Sequence, residues 1–169
     1  DDIFDAENPL NKDLIDAVAY LDTIEKDNYY RIDTKYLSGS VNNGLIHGYS
    51  SVSAYHSNRA NGYYYYLKDV QNHSDANILP SMVDVLDRDL AGVKYLLSTS
   101  DIEEDYSLIK QFGSVFVHQR EQEVGVTHLY KRVIQNKDLL LMPIEHRKPL
   151  LKYAAAVENA ETTSLGVID

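Results

Sequence analysis

The chain has 169 residues, 44% of them hydrophobic and 25% charged, with a formal net charge of −10. That length supports a domain with its own core, and the acidic balance argues against a nucleic-acid grip, which needs clustered Lys and Arg, and equally against docking on an anionic membrane surface. Cysteine is absent, which excludes disulfides, thiolate catalysis and Cys-based zinc sites.

No run of about 18 apolar residues is present, so no transmembrane helix is predicted. The chain opens on Asp1 and Asp2 rather than on a basic and then apolar stretch, so export is expected to depend on something outside it. Leu10, Leu14, Ala17, Val18, Leu21 and Ile24 recur at three- and four-residue steps and predict a helix over 10–26, started by Asn8 and Pro9. Residues 29–37 (YYRIDTKYL) alternate and predict a strand. The Ser-, Gly- and Asn-rich stretch 38–57 predicts an irregular loop. Ser57 is placed to cap a helix over 58–71, which Gly62 weakens. A second short helix from Pro80 or Ser81 carries Val83, Leu86 and Leu90 on one face and stops near Gly92. VKYLL (93–97) follows as a buried strand, and Asp101–Asp105 as a solvated acidic turn.

Residues 106–110, 115–118 and 127–133 predict three strands, with turns at Gly113 and over 119–125. Their short connections predict antiparallel pairing. Residues 138–158 are helical in tone, broken by Pro143 and Pro149; Ala154, Ala155 and Ala156 favour helix, and 139–142 suits a short strand or a helical turn. The tail after Glu161 is expected to leave the domain. Together these elements give an α+β fold, a single domain over 1–169 with helices packed on a mainly antiparallel sheet.

The sequence contains no GxxxxGK[ST] or GxGxxG phosphate loop, no GxSxG elbow and no HExxH. His118 and His128 could meet across a hairpin, but no third ligand accompanies them, and surface or hairpin-facing histidines are the ordinary reading. Asn72, His73 and Ser74 form a glycosylation sequon that matters only in a eukaryotic secretory host. Fourteen Tyr stand against three Phe and no Trp; a ring with a polar tip suits the rim of a core or a sugar-facing surface. Possible binding groups concentrate in 42–57, where Asn43, His47, Tyr49, Ser51, Tyr55 and His56 are the candidates for hydrogen bonding and stacking with a sugar. The plainer alternative is a loop that satisfies its own backbone with Ser and Asn side chains.

Five segments, in order, resemble one family. YYRIDTKYL, NNGLIHGYSSVSAYHS, DRDLAGVKYLLS, YSLIKQFGSVFVHQRE and HRKPLLKYAAAVEN are similar to the "YRI" strand, the Asn-containing "GY-x-S/G-I/V-S-x-Y-S" stretch, the "L-x-G-V-K-Y-L/V-L" strand, the "V-Y-V-Y-E-N" segment and the Arg-led "LL-x-A-x-V" segment of the extracytoplasmic part of YfhO-family bacterial membrane proteins. The resemblance covers about 29–158. Two departures stand out: His118, Gln119 and Arg120 replace the family's "YEN", and the "S-x-F/Y-S-S" ending reads Ser53, Ala54, Tyr55, His56, Ser57.

The resemblance implies a soluble domain on the extracytoplasmic face of the bacterial cell membrane. It would belong to a polytopic protein similar to GT-C glycosyltransferases, which transfers a sugar from a polyprenyl phosphate to lipoteichoic acid or another cell-wall polymer. The catalytic carboxylate of such enzymes sits in an early membrane loop, so no catalytic residue is expected here. The implied partners are the transmembrane part, the polyprenyl-phosphate sugar and the teichoic acid. No cofactor is expected in this chain, although its −10 charge should repel a polyphosphate unless a less acidic face, a divalent cation or packing on the membrane part intervenes. The alternative from another class is a structural or partner-docking domain.

Overall fold

The computed structural model describes residues 9–26, 30–35, 43–52, 54–55, 66–70, 78–79, 85–122, 130–157 and 166–167. Contacts group them into two compact units: 1–55 with 78–126, and 56–77 with 127–169.

In the first unit, α1 (Pro9–Ile24) begins on Pro9, a residue whose fixed φ suits the first helical position. It is followed by β1 (Arg31–Lys35), α2 (Asn43–His47), β2 (Ala54–Tyr55), β3 (Ile78–Leu79), α3 (Val85–Leu90), β4 (Val93–Ser98), β5 (Tyr106–Phe112) and β6 (Val115–Arg120). β2 and β3 form a small antiparallel pair. The main sheet runs β1-β4-β6-β5. β4, β6 and β5 pair antiparallel, as the short connections require, while β1 joins β4 in parallel through a long crossover.

The stripe of α1 (Leu14, Ala17, Val18, Leu21) covers one face of this sheet. It packs with Tyr30, Ile32, Tyr95, Leu97, Val115 and Val117, alternate residues of adjacent strands, as the pleat demands. The helix is clipped to the β5–β6 turn: Asp13 accepts from the Ser114 backbone N–H (2.8 Å) and hydroxyl (3.1 Å). Gly113, at φ 51°, lies so close to Asp13 that an added Cβ would come within 2.2 Å of its carboxylate. That turn therefore favours glycine for its backbone angle, and a side chain there would displace the Asp13 carboxylate from Ser114.

In the second unit, a π-helical turn (Tyr66–Val70) is followed by β7 (Arg132–Gln135), α4 (Asn136–Leu141), α5 (Ile144–Leu151), β8 (Ala155–Val157) and β9 (Gly166–Val167). β7 is central and pairs in parallel with both β8 and β9. Val70, Ile134, Leu139 and Ala154 form the core, flanked by Tyr66, Met142, Leu150 and Leu151.

Several expectations are corrected. The 38–57 stretch is not wholly irregular, because 43–47 is helical. Ala155 and Ala156 lie in a strand, where pairing with Val133 and Ile134 overrides alanine's preference for helix. Helix α5 runs through Pro149. Residues after Glu161 do not simply leave, since Gly166 and Val167 pair with Arg132 and Val133. Of the two readings of 139–142, the helical one holds, since 139–141 continue α4. Of the helix expected over 58–71, residues 66–70 form the π-helical turn; the rest of it, the sequon at Asn72, the strand residues 127–129 and His128 lie outside the described residues.

Candidate functional site

Of the 42–57 stretch, residues 43–52 sit on a backbone sewn to the edge of the main sheet. After α2 the chain turns back. The Tyr49 N–H donates to the Gly44 carbonyl (3.0 Å), the Ile32 N–H to the Ser50 carbonyl (2.9 Å), and the Val52 N–H to the Ile32 carbonyl (3.3 Å). Ser51 bridges to Ile32 in parallel, alongside β1. Gly44 is pressed against this return: a Cβ there would come within 2.5 Å of the Ser51 Cβ and 2.9 Å of the Tyr49 carbonyl oxygen. All three hydrogen bonds run from backbone to backbone, and Ile32 of β1 is a partner in two of them.

The side chains divide. Tyr49 is only 9% exposed and belongs to the core with Tyr30, Ile32 and Tyr95. Its ring is packing material, and its faces are closed to a sugar. The hydroxyl finds no partner of hydrogen-bond geometry among the described residues. Burial first, then the charge of Asp33, hold this phenol well above its usual range, with Ser51 near enough to oppose them weakly. His47 and Ser51 are half-buried and Ser50 is exposed, so these three form the outward rim. Burial pushes the His47 imidazole below its ordinary 6.5, which keeps it neutral at neutral pH and able both to donate and to accept. Asn43 opens α2 and Tyr55 lies in β2; His56 lies outside the described residues.

The far face of the main sheet holds a polar arrangement that sequence reasoning missed. Asp33 is fully buried; the Arg88 Nε donates to its Oδ2 (2.9 Å) and the Thr34 N–H to its Oδ1 (2.9 Å). Arg120 grips both carboxylate oxygens of Asp89 (2.8 and 3.1 Å) and donates to the Asp105 carbonyl (2.7 Å). Tyr106 lies against both guanidinium groups, 5.9 Å from Arg88 and 5.7 Å from Arg120. Burial drives its phenol up, and the two arginines only partly offset that. Glu103, expected in a solvated turn, is buried; it accepts from Lys35 (2.5 Å) and from the Ser98 hydroxyl (2.8 Å).

His118, expected at the surface or facing a hairpin, lies in the β5–β6 hairpin and is fully buried. Its Nε2 lies 2.9 Å from the Ser100 carbonyl. A carbonyl only accepts, so Nε2 carries the proton. Nδ1 has no partner among the described residues. Asp33, Leu96, His118 and Leu108 form one row across the four strands. The one sequence signal for this face is that the family departures His118 and Arg120 fall on it.

These buried carboxylates are held by cations and hydroxyls in fixed pairs, an arrangement that orders strands rather than one that moves protons. Among the described residues no three His, Asp or Glu converge as a metal ion would require, and no helix is long and apolar enough to cross a membrane.

No curated protein and no solved structure matches the chain at significance. A family model described as bacterial membrane protein YfhO matches residues 6–165, nearly the whole length, and the chain belongs to that family.

Proposed function

We propose that this chain is the non-catalytic, acceptor-facing domain of a membrane glycosyltransferase, on the extracytoplasmic side of the bacterial cell membrane. The protein would transfer a sugar from a polyprenyl phosphate to teichoic acid or another cell-wall polymer. Membership of a bacterial membrane protein family supports the setting. The observation that carries the acceptor-facing role is the outward rim of His47, Ser50 and Ser51, fixed on a backbone hydrogen-bonded to Ile32. Neutral imidazole and hydroxyl groups held in place are the groups that pair with sugar hydroxyls at low ordering cost. A divalent cation bridging polymer phosphate to this acidic chain belongs to the same proposal.

The test uses the full-length protein in its membrane. His47→Ala and Ser51→Ala should each lower glycosylation of the wall polymer while leaving protein abundance unchanged. Unchanged glycosylation at unchanged abundance rejects the acceptor-facing role. A second reading, a structural domain that caps the membrane part or docks a partner, is favoured by the burial of Tyr49. On that reading Tyr49→Ala lowers abundance and the rim substitutions change nothing.

A further inference from the structure

The second unit carries a surface unlike the average of the chain. The chain's net charge is −10, yet residues 130–157 hold six Lys and Arg against two carboxylates. In the same stretch Leu140, Leu141 and Ile144 are exposed, Leu141 at 85%, and so is Tyr153. Three apolar side chains within five residues, standing in water, mark a surface that contacts something.

This turn is held rigidly. The Arg147 guanidinium donates to three carbonyls: Leu140 (2.7 Å), Met142 (3.0 Å) and Asp69 (2.6 Å). It thereby satisfies the end of α4, where carbonyls lack helical partners, and ties α4, α5 and the π-helical turn together. Beneath it Leu139 is buried and Met142 packs on the same core. The exposed leucines therefore stand on a braced element. Lys137 precedes Leu141 by four residues on α4, and Lys148 follows Ile144 by four on α5. That spacing places each lysine one turn from an apolar tip on the same helix face. Lys131, Arg132 and Lys152 add exposed cations, and Tyr153 is a ring with a polar end, suited to a boundary between water and lipid.

We infer that the α4–α5 turn of the second unit docks on the surface of an anionic phospholipid bilayer. Leu140, Leu141 and Ile144 enter the headgroup boundary, and the exposed Lys137 and Lys152 meet the lipid phosphates. The charge selects this occupant. Residues 136–152 carry Lys137, Arg147, Lys148 and Lys152 against Asp138 and Glu145, so a second copy meeting the same patch across a twofold axis would bring one net positive surface against another, whereas an anionic headgroup layer attracts each exposed lysine and lets its aliphatic stem lie along the apolar boundary. The net charge of the whole chain, which counts against such docking, is the wrong measure, because screening limits each lysine to its neighbourhood of about 8 Å. This inference does not depend on the glycosyltransferase reading.

The test is sedimentation of the chain with vesicles of phosphatidylglycerol or of phosphatidylcholine. Binding should favour phosphatidylglycerol and weaken with salt. Leu141→Ser should weaken it at least about tenfold, since a leucine side chain leaves the lipid, and Lys137→Gln about fivefold. Leu108→Ser, at an exposed leucine of β5 outside the patch, should bind as the unaltered chain does. Far-UV circular dichroism establishes that each variant is folded. Equal binding to the two lipids, or equal damage from Leu108→Ser and Leu141→Ser, overturns the inference. So does self-association in ultracentrifugation that Leu141→Ser abolishes while no vesicle binds, which would assign the surface to a second copy.

Discussion

The two faces of the main sheet are built by different chemistry from the same strands. One face is dry: α1 lays Leu14, Ala17, Val18 and Leu21 on Ile32, Tyr95, Leu97, Val115 and Val117. The other holds Asp33, Ser98, His118 and Arg120, tied to Arg88, Asp89 and Glu103. The dry face is stabilised by burial that is indifferent to direction. The polar face depends on each charge finding its partner, and an ion pair taken from water contributes little beyond its own desolvation. Such a face fixes strand order and register more than it adds stability. Asp33 of β1 with Arg88 of α3, and Arg120 of β6 with Asp89 of α3, each tie a strand to one short helix.

The largest effect is expected where one charge of the polar face loses its countercharge. Arg88→Ala takes the guanidinium from the fully buried Asp33 and should lower stability by about 3–5 kcal/mol in urea unfolding. The paired change Arg88→Met with Asp33→Leu should recover most of that loss. A double variant as unstable as Arg88→Ala would show that the ion pair itself stabilises the fold, against the contrast drawn between the faces. On the dry face Leu21→Ala opens a cavity and should cost about 2–5 kcal/mol, with no rescue by a charge elsewhere. In the second unit Arg147→Ala frees three carbonyls and should cost about 2–3 kcal/mol. A change under about 0.5 kcal/mol would mean that the turn is held by packing alone.

The dry face was legible in the sequence because its signal is periodic. Leu14, Ala17, Val18 and Leu21 announce α1 by spacing alone, and VKYLL and VFVH announce strands, the second of which runs on to Arg120. The polar face was not legible, because its partners are set by topology: Asp33 and Arg88 are 55 residues apart, and Lys35 and Glu103 are 68 apart. An acidic run such as Asp101–Asp105 reads as solvated, and nothing in its composition says that Glu103 alone turns inward. The candidate site was half legible. Its residue types were visible, but Tyr49 was assigned to a sugar because its place beside Ile32 depends on hydrogen bonds with the Ile32 backbone, which leave no mark on the side-chain pattern. Arg147 stood out only through the family resemblance, since it grips backbone carbonyls, one of them 78 residues away.

Tyr49 offers a sharper comparison, being a polar atom inside the dry face. Its hydroxyl is buried without a partner among the described residues, so Tyr49→Phe removes a desolvated group and keeps the packing. Stability should be unchanged or rise by up to about 1 kcal/mol. A loss above about 1 kcal/mol would reveal a hydrogen bond made by that hydroxyl, and with it a polar role at the 43–52 segment. Under the acceptor-facing reading Tyr49→Phe leaves glycosylation intact, because the ring is packing and the rim lies at His47, Ser50 and Ser51.

The smallest effect lies where the rim of the dry face meets water. Tyr95 and Lys94 both donate to the Glu25 carboxylate, just past the end of α1. Burial raises the Glu25 pKa, but the bonds from Lys94 and Tyr95 outweigh it, so the carboxyl titrates below its usual 4.5. A depressed folded value means that the unfolded chain takes up the proton first as the pH falls. The stability contributed by this contact is therefore complete above about pH 5 and is lost as the pH falls through the folded value. Lys94→Ala removes one of the two donors. It should move the Glu25 titration, followed by carboxyl NMR shifts, back toward 4.5, and should make the acid limb of stability shallower. An unmoved titration in Lys94→Ala would assign the depression to Tyr95 alone, and the boundary between the dry core and solvent would then be held by the tyrosine hydroxyl rather than by the surface charge.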